Sequence, residues 1–339
     1  MPEWLGLYEH SSRNLFLNPT WHQIWWDTIG HREGLRPHVL VGRSDGRLVA
    51  VASMAIRRLY GLRILEWAGD EFFDYPDILI ATGVDADEFW GSIRRTGGFD
   101  VARIHSVRDG TSSASALATL AWRTRDTEPA HAITLRHPSG QAWLATLSKR
   151  KRSNHAASIR MIEKQGPLAM TVVSDREKLP GLVADLIRMK DAWGTKQGTV
   201  NTLTKPGRPE CMTQLALQAC KEETLHLSVL TCGERTIAIH YGFVGRDGLY
   251  YYQPSYDLAF AKASAGRLHL TLLVMWAIDN GYDRFDFLRG GEAYKTDLAD
   301  HARWLNSYLF AHGFLGACAA RYLAMRQRPG EQHHGVADA

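Results

Sequence analysis

Cysteine is scarce in this sequence: Cys211, Cys220, Cys232 and Cys318 are the only four among 339 residues. None sits in a C-x-x-C pair or at the Cys/His intervals that hold zinc, so neither a disulfide framework nor a metal site is expected, and free thiols are. Long apolar runs are missing as well. No uninterrupted stretch approaches the ~18 residues that span a bilayer, and the opening MPEWLGLYEHSSRN has no basic start followed by an apolar core. On these grounds a cytoplasmic protein is expected, with a peripheral contact at the inner face of the membrane left open. A large charge imbalance is also lacking, since 40 basic against 36 acidic residues give a formal charge of +4. A general affinity for polyanions is therefore not expected. The exception is local: Lys149, Arg150, Lys151, Arg152 and Arg160 share a segment, 149–160, that contains no acid.

What is present is a globular composition, 45% hydrophobic, over a length of about two domains at the usual ~100–200 residues each. Asn18-Pro19-Thr20 opens a helix whose Trp21, Ile24, Trp25 and Ile29 share an inward face. Runs with strand character follow at His38–Arg43, Arg47–Arg57, Leu62–Trp67 and Ile78–Ile80, then a helix at Asp85–Arg95 and a strand at Asp100–His105. Between them the loop Gly69–Pro76 gathers three carboxylates and three aromatics. Its Asp74 and Tyr75 suit an amine or sugar acceptor, because acids hold ammonium or hydroxyl groups while a ring covers an apolar face. A solvated loop with its aromatics tucked inward is the equal alternative. After the break at Pro138-Ser139-Gly140, residues 141–166 read as one basic helix bridging two halves, without the interleaved aromatics that favour single-stranded nucleic acid.

The second half repeats the order more fully. Leu168–Val173 reads as a strand, helices follow from Ser174 to Trp193 and from Glu210 to Lys221, and strands follow at Leu225–Leu230, Thr236–Val244 and Leu249–Gln253, the last two joined at Arg246-Asp247-Gly248. From Arg267 to Asn280 the chain is apolar on nearly every side and closes with Asn280-Gly281, which reads as a buried helix; Phe285 and Phe287 then alternate with Arg284 and Asp286 in a short strand ending at Gly290-Gly291. At the helix start, Ser264 can cap, Ala265 and Gly266 leave N–H groups uncovered, and Arg267 adds positive charge. Such an end attracts an anion. The repeated order suggests a duplication and a mixed α/β (α+β) fold.

Several stretches carry a resemblance: Leu147-Ser148-Lys149 with the basic segment after it, Trp193 and Lys196, Gly233–Ala238, Tyr252–Asp257, Gly266, and above all Phe285-Asp286-Phe287 running into Gly290-Gly291-Glu292-Ala293-Tyr294-Lys295. Together they resemble the GCN5-related N-acyltransferase (GNAT) superfamily. The nearest likeness is to its double-domain bacterial CelD/BcsL-like acetyltransferases, which are related to the Fem aminoacyl transferases. The chain departs from that pattern in having Ala265-Gly266 where relatives usually have Pro-Gly.

The resemblance implies tandem GNAT-like domains, each a central, mostly antiparallel twisted sheet flanked by helices. The divisions it suggests are a degenerate domain at 1–140, a connecting helix at 141–166, a donor-binding domain at 167–327 and a flexible tail at 328–339. It implies acetyl-CoA or a longer acyl-CoA as co-substrate, no permanently bound cofactor, and a diphosphate held by Ser264, Ala265, Gly266 and Arg267. His240 and Glu292 become candidates for the base, and Tyr256 and Tyr294 for the proton donor to the departing thiolate. Lys295 and Arg289 become candidates for binding the acceptor. Asp286 joins them, with anchoring of Arg289 or Lys295 as the preferred role. The implied activity is acyl transfer from a thioester to an amine of an amino sugar, an envelope polysaccharide precursor or an amine lipid. A Fem-like transferase using charged tRNA, or a non-catalytic member of the fold, stands as the alternative. Phe310–Arg326 is expected to pack on the second domain. The oligomeric state is left open.

Overall fold

The computed structural model of the chain describes residues 1–11, 14–246 and 248–326. Asp247 of the expected turn and the expected tail at 328–339 lie outside the described residues. The chain divides into two compact units, one of Met1–Ala130 with the segment from Arg303, the other of His131–Ala302.

The first unit holds α1 (Pro2–Ser11), α2 (Pro19–Trp25), β1 (Arg36–Ser44), β2 (Arg47–Leu59), β3 (Leu62–Trp67), β4 (Leu79–Ile80), α3 (Ala86–Thr96), β5 (Val101–Arg108) and α4 (Ser112–Leu120). Strand β6 (Trp122–Thr134) carries the chain into the second unit, which comprises α5 (Gly140–Thr146), α6 (Lys149–Glu163), β7 (Leu168–Val173), α7 (Leu179–Gln197), α8 (Arg208–Lys221), β8 (Leu225–Cys232), β9 (Arg235–Gly245), β10 (Gly248–Tyr256), α9 (Ala265–Asp279), β11 (Arg284–Arg289) and α10 (Ala293–Leu298). Strand β12 (His301–Ala311) and helix α11 (Gly313–Arg326) return to the first unit.

In the first unit the sheet order is β1-β2-β3-β5-β12, with β4 also on β2. Strands β1, β2 and β3 pair antiparallel, whereas β3 and β5 run parallel and pair only at Ile64–Val101 and Leu65–Ala102. The apolar face packs on α3 and α4 through Leu65, Trp67, Phe89, Trp90, Ile104 and Leu117. Trp21, Trp25 and Ile29 are core, as their helical spacing requires.

In the second unit the order is β11-β10-β9-β8-β7. Four strands are antiparallel in sequence order, and β11 then joins parallel to β10 at Leu249–Phe285 and Tyr250–Asp286. A parallel neighbour needs a crossover helix. Helix α9 supplies it and buries Leu270, Leu273 and Val274 with Phe285 and Phe287 in one cluster. The two units thus share a succession: an antiparallel pair, a helix, and a strand returning parallel. The expected mixed fold, with mostly antiparallel sheets flanked by helices, is borne out.

Two expectations fail. The basic stretch is not one bridging helix but two, broken at Leu147-Ser148, where the Ser148 hydroxyl accepts from the Lys151 N–H. Helix α6 belongs to the second unit, because Ile159 and Ile162 are drawn into its core with Leu230, Phe260 and Leu268. The terminal helix packs in the first unit rather than the second: Ala320 and Leu323 lie with Ile64, Val101 and Leu309. Strands β6 and β12 are additions that the sequence reading lacked.

Candidate active site of the second unit

The site starts where β10 and β11 part. Gly248 allows the close start, since a Cβ there would lie 2.3 Å from the Arg284 carbonyl oxygen. After two residue pairs the strands separate, and β10 continues on β9 alone as far as Tyr256. The Asp257 carboxylate then accepts from the Ala259 N–H and from Arg235, which fixes a short 3-10 turn, Leu258–Ala263, ahead of α9.

Ser264 does not cap α9 with its side chain. It takes a left-handed conformation, φ 51°, and its carbonyl accepts the first helical bond, from the Leu268 N–H at 2.9 Å. The N–H groups of Ala265, Gly266 and Arg267 precede that bond, as at any helix start. Gly266 is required by the Tyr256 ring, which a Cβ would meet at 2.9 Å.

This helix start opens on a cavity of about 730 Å3, lined by Ser264, Arg267 and Thr271 of α9, by Lys262 before it, by Arg150, Lys151, Asn154 and His155 of α6, and by Tyr294 and Asp297 of α10. Four cations line it and Asp297 is the single acid among the lining residues. Helix dipole and side chains therefore act with the same sign, and the arrangement suits a phosphate-bearing ligand. Of the four residues expected to hold a diphosphate, Ser264 and Arg267 face the cavity, Ala265 is buried, and Gly266 lies under Tyr256.

Beside it, at the end of β11, is a second group. Gly290 takes φ 122°, and a Cβ there would fall 2.2 Å from Glu292 Oε2 and 2.7 Å from Lys295 Nζ, so only glycine lets the turn close over this pair. Lys295 is 2% exposed, lies 2.9 Å from the Glu292 carboxylate and donates to the Arg289 carbonyl at 2.5 Å. Lys295, expected as a residue that binds the acceptor, is turned inward onto Glu292 and the Arg289 carbonyl. Lys190 of α7 shares this environment. Burial pushes its pKa down to about 8, with Glu292 opposing and Lys295 adding to the shift. The Tyr251 hydroxyl is pushed up by burial and by Glu292, and His131 is pushed down by burial and by Lys295. Tyr294 lines the cavity and packs against Tyr251 at 6.3 Å between ring centroids, which connects the two groups.

The remaining candidates fall elsewhere. His240 is fully buried, stacked on Tyr251 at 4.7 Å, and grouped with His226 and His269 rather than in the cavity wall. Burial and then its two histidine neighbours hold it well below the usual range, so it is neutral. Among the described residues no cluster of His, Cys, Asp and Glu is placed to hold a metal. Tyr256 covers Gly266 and does not line the cavity. Asp286 pairs with Arg284 and accepts from the Leu288 N–H at 2.8 Å.

Asp74 and Tyr75 lie buried in the first unit, with the Tyr75 ring edge-on to Phe16 and under Arg108. The loop has its aromatics tucked inward, and these two residues do not join the cavity lining. Sequence reasoning missed Lys190, Asp297 and Lys262. A lysine directly after the mostly apolar run Leu186–Met189 was the one local signal for the first.

Residues 149–296 match the family of acetyltransferase (GNAT) domains. Among solved structures the chain is similar to FemX at 11% identity and TM-score 0.62, covering 95% of this chain and 98% of that one. It is similar to the C-terminal domain (DUF2156) of a candidate lysylphosphatidylglycerol synthetase from Agrobacterium fabrum at 15% identity and TM-score 0.52, covering 94% and 99%. A conserved protein of unknown function from Bacteroides thetaiotaomicron VPI-5482 is similar at 10% identity and TM-score 0.53, covering 91% and 97%. No curated protein matches the chain. At these identities the structural likeness is one of fold. Residues 149–296, within the second unit, thus match a GNAT acetyltransferase domain, and the GNAT resemblance read from the sequence is borne out.

Proposed function

We propose that the protein is an N-acyltransferase that takes its acyl group from a coenzyme A thioester and gives it to an amine of an amino sugar, envelope precursor or amine lipid. The observation that carries this reading is the cationic cavity at the uncapped start of α9, the helix that crosses between the separated strands β10 and β11. Arg267 and Lys262, with the first N–H groups of α9, would hold the diphosphate, and the ligand would supply an activated carbonyl.

The chain's own residues then handle protons. Glu292, oriented by Lys295, accepts the proton that the attacking amine must lose. Lys190, held at about 8, titrates close enough to neutrality to relay that proton. Tyr294, in the cavity wall, is the hydroxyl available to the departing thiolate. His240 is set aside as the base because its ring is fully buried, whereas the Glu292 carboxylate keeps some exposure at the end of β11.

Thermal-shift titration tests the donor, since a ligand that binds only the folded state raises the melting temperature. Coenzyme A or acetyl-CoA should stabilise the protein, and charged tRNA should not. Stabilisation by charged tRNA alone would replace this reading with the Fem-like one, and a response to neither would remove catalysis from the account.

A further inference from the structure

The four cations of the cavity fall into two classes. Arg150 and Lys262 have no acidic partner among the described residues. Lys151 and Arg267 share one: Asp297 Oδ1 lies 2.9 Å from Lys151 Nζ, and Asp297 Oδ2 takes the Arg267 guanidinium. A carboxylate bridging two cations is what two phosphate oxygens would do in the same place. The backbone under it is fixed, because Lys151 also donates to the Asp297 carbonyl at 2.6 Å and the Ala299 N–H closes the helix on the Lys295 carbonyl. The carboxylate itself is about a third exposed. It can rotate away without unfolding α10.

We propose that Asp297 is an internal competitor of the donor's phosphates, and so a specificity-determining residue of the cavity. While it bridges Lys151 and Arg267, an incoming anion must replace both of its bonds at once. A diphosphate brings more oxygens and more charge than the carboxylate it must displace, whereas a carboxylate ligand only equals it and a sulfate exceeds it by less. The cavity is thereby kept from abundant small anions and reserved for donors carrying a diphosphate. This inference rests on the reading of the cavity as the donor site.

The test is titration of the full chain with inorganic pyrophosphate and with sulfate, by calorimetry and thermal shift. Wild type should bind pyrophosphate and show no response to sulfate at the same concentration. Asp297→Asn, which keeps the shape and removes the charge, should bind pyrophosphate about tenfold tighter and should now respond to sulfate. Its melting temperature without ligand should fall, because two ion pairs are lost, while its ligand-induced rise grows. Asp297→Glu restores the charge and should return both affinities towards wild type. Arg267→Ala separates the two levels: it should lose pyrophosphate binding whatever Asp297 does. Pyrophosphate binding no tighter in Asp297→Asn than in wild type, with Arg267→Ala impaired, overturns the competitor and leaves the donor site standing. Absence of pyrophosphate binding in both wild type and Asp297→Asn overturns both.

Discussion

Helices α3 and α9 occupy the same topological place, each between an antiparallel strand pair and a strand returning parallel, yet their first turns carry opposite charge. Helix α3 is closed by its own acids: the Asp85 carboxylate accepts from the Asp87 N–H at 2.8 Å, and Asp87 and Glu88 follow. Helix α9 has no side-chain cap and no acid in its first turn, where Arg267 stands instead. The shared topology sets a helix between the two parallel strands in either unit. What decides whether its start can receive an anion is a handful of side chains.

The comparison can be strained at several points. The largest effect is expected where β11 ends in Gly290-Gly291-Glu292, a turn chemistry that β5, ending at Asp109-Gly110, does not share. Glu292→Gln should lower kcat by about a hundredfold or more while leaving coenzyme A binding nearly unchanged. Initial-rate kinetics beside a binding titration read the two separately, and unchanged turnover would remove Glu292 as the proton acceptor.

Next in size is the response of the second unit to acid. Its interior holds His226 and His269 at about 4 and about 3, chiefly through burial, with His240 also well below the usual range. These rings stay neutral in the folded chain while the unfolded chain takes up protons below about 6.5. Stability is therefore fully present above that pH and is lost as pH falls towards 4. His226→Phe, which can still pack on Trp276, should reduce the loss between pH 7 and pH 5 by roughly 2 kcal/mol. Urea unfolding at the two pH values would show it, and an unchanged loss would mean that the ring is not the group being titrated.

Arg267→Glu gives α9 the sign of α3. Coenzyme A binding should weaken by roughly thirtyfold to a hundredfold, and a dissociation constant within twofold of wild type would dismiss the charge argument. The smallest effect belongs to the first unit. Asp85→Ala should cost about 1 kcal/mol of stability through the lost cap and leave coenzyme A binding where it was, as equilibrium unfolding and the same titration can check.

Much of this frame is legible in the sequence because it is local. The strands Leu62–Trp67 and Leu168–Val173 end where alternation and turn residues end them, and Asn280-Gly281 stops α9 with Gly281 at φ 77°. The Phe285/Phe287 alternation gives β11, and the glycine pair after it marks the site. What the sequence hides is proximity across the fold. Lys190 comes under the influence of Glu292 from a helix about a hundred residues earlier, and its local sequence does not name that partner. The helix 149–163 reads as a solvated basic face until Ile159 and Ile162 anchor it in the core and turn Arg150 and Lys151 towards the cavity. Asp74 and Tyr75 mislead for a related reason: acids and rings in one loop describe a binding surface and a tucked loop equally well, and Gly69 at φ 80°, tight against Phe73, favours the second.

A crystal structure of the full chain with coenzyme A tests the central claim most directly. The account predicts the diphosphate at the start of α9, within hydrogen-bonding distance of the amides that precede Leu268 and of Arg267, with the Asp297 carboxylate turned aside. Coenzyme A seated at α3, or a diphosphate held by side chains remote from α9, would contradict it.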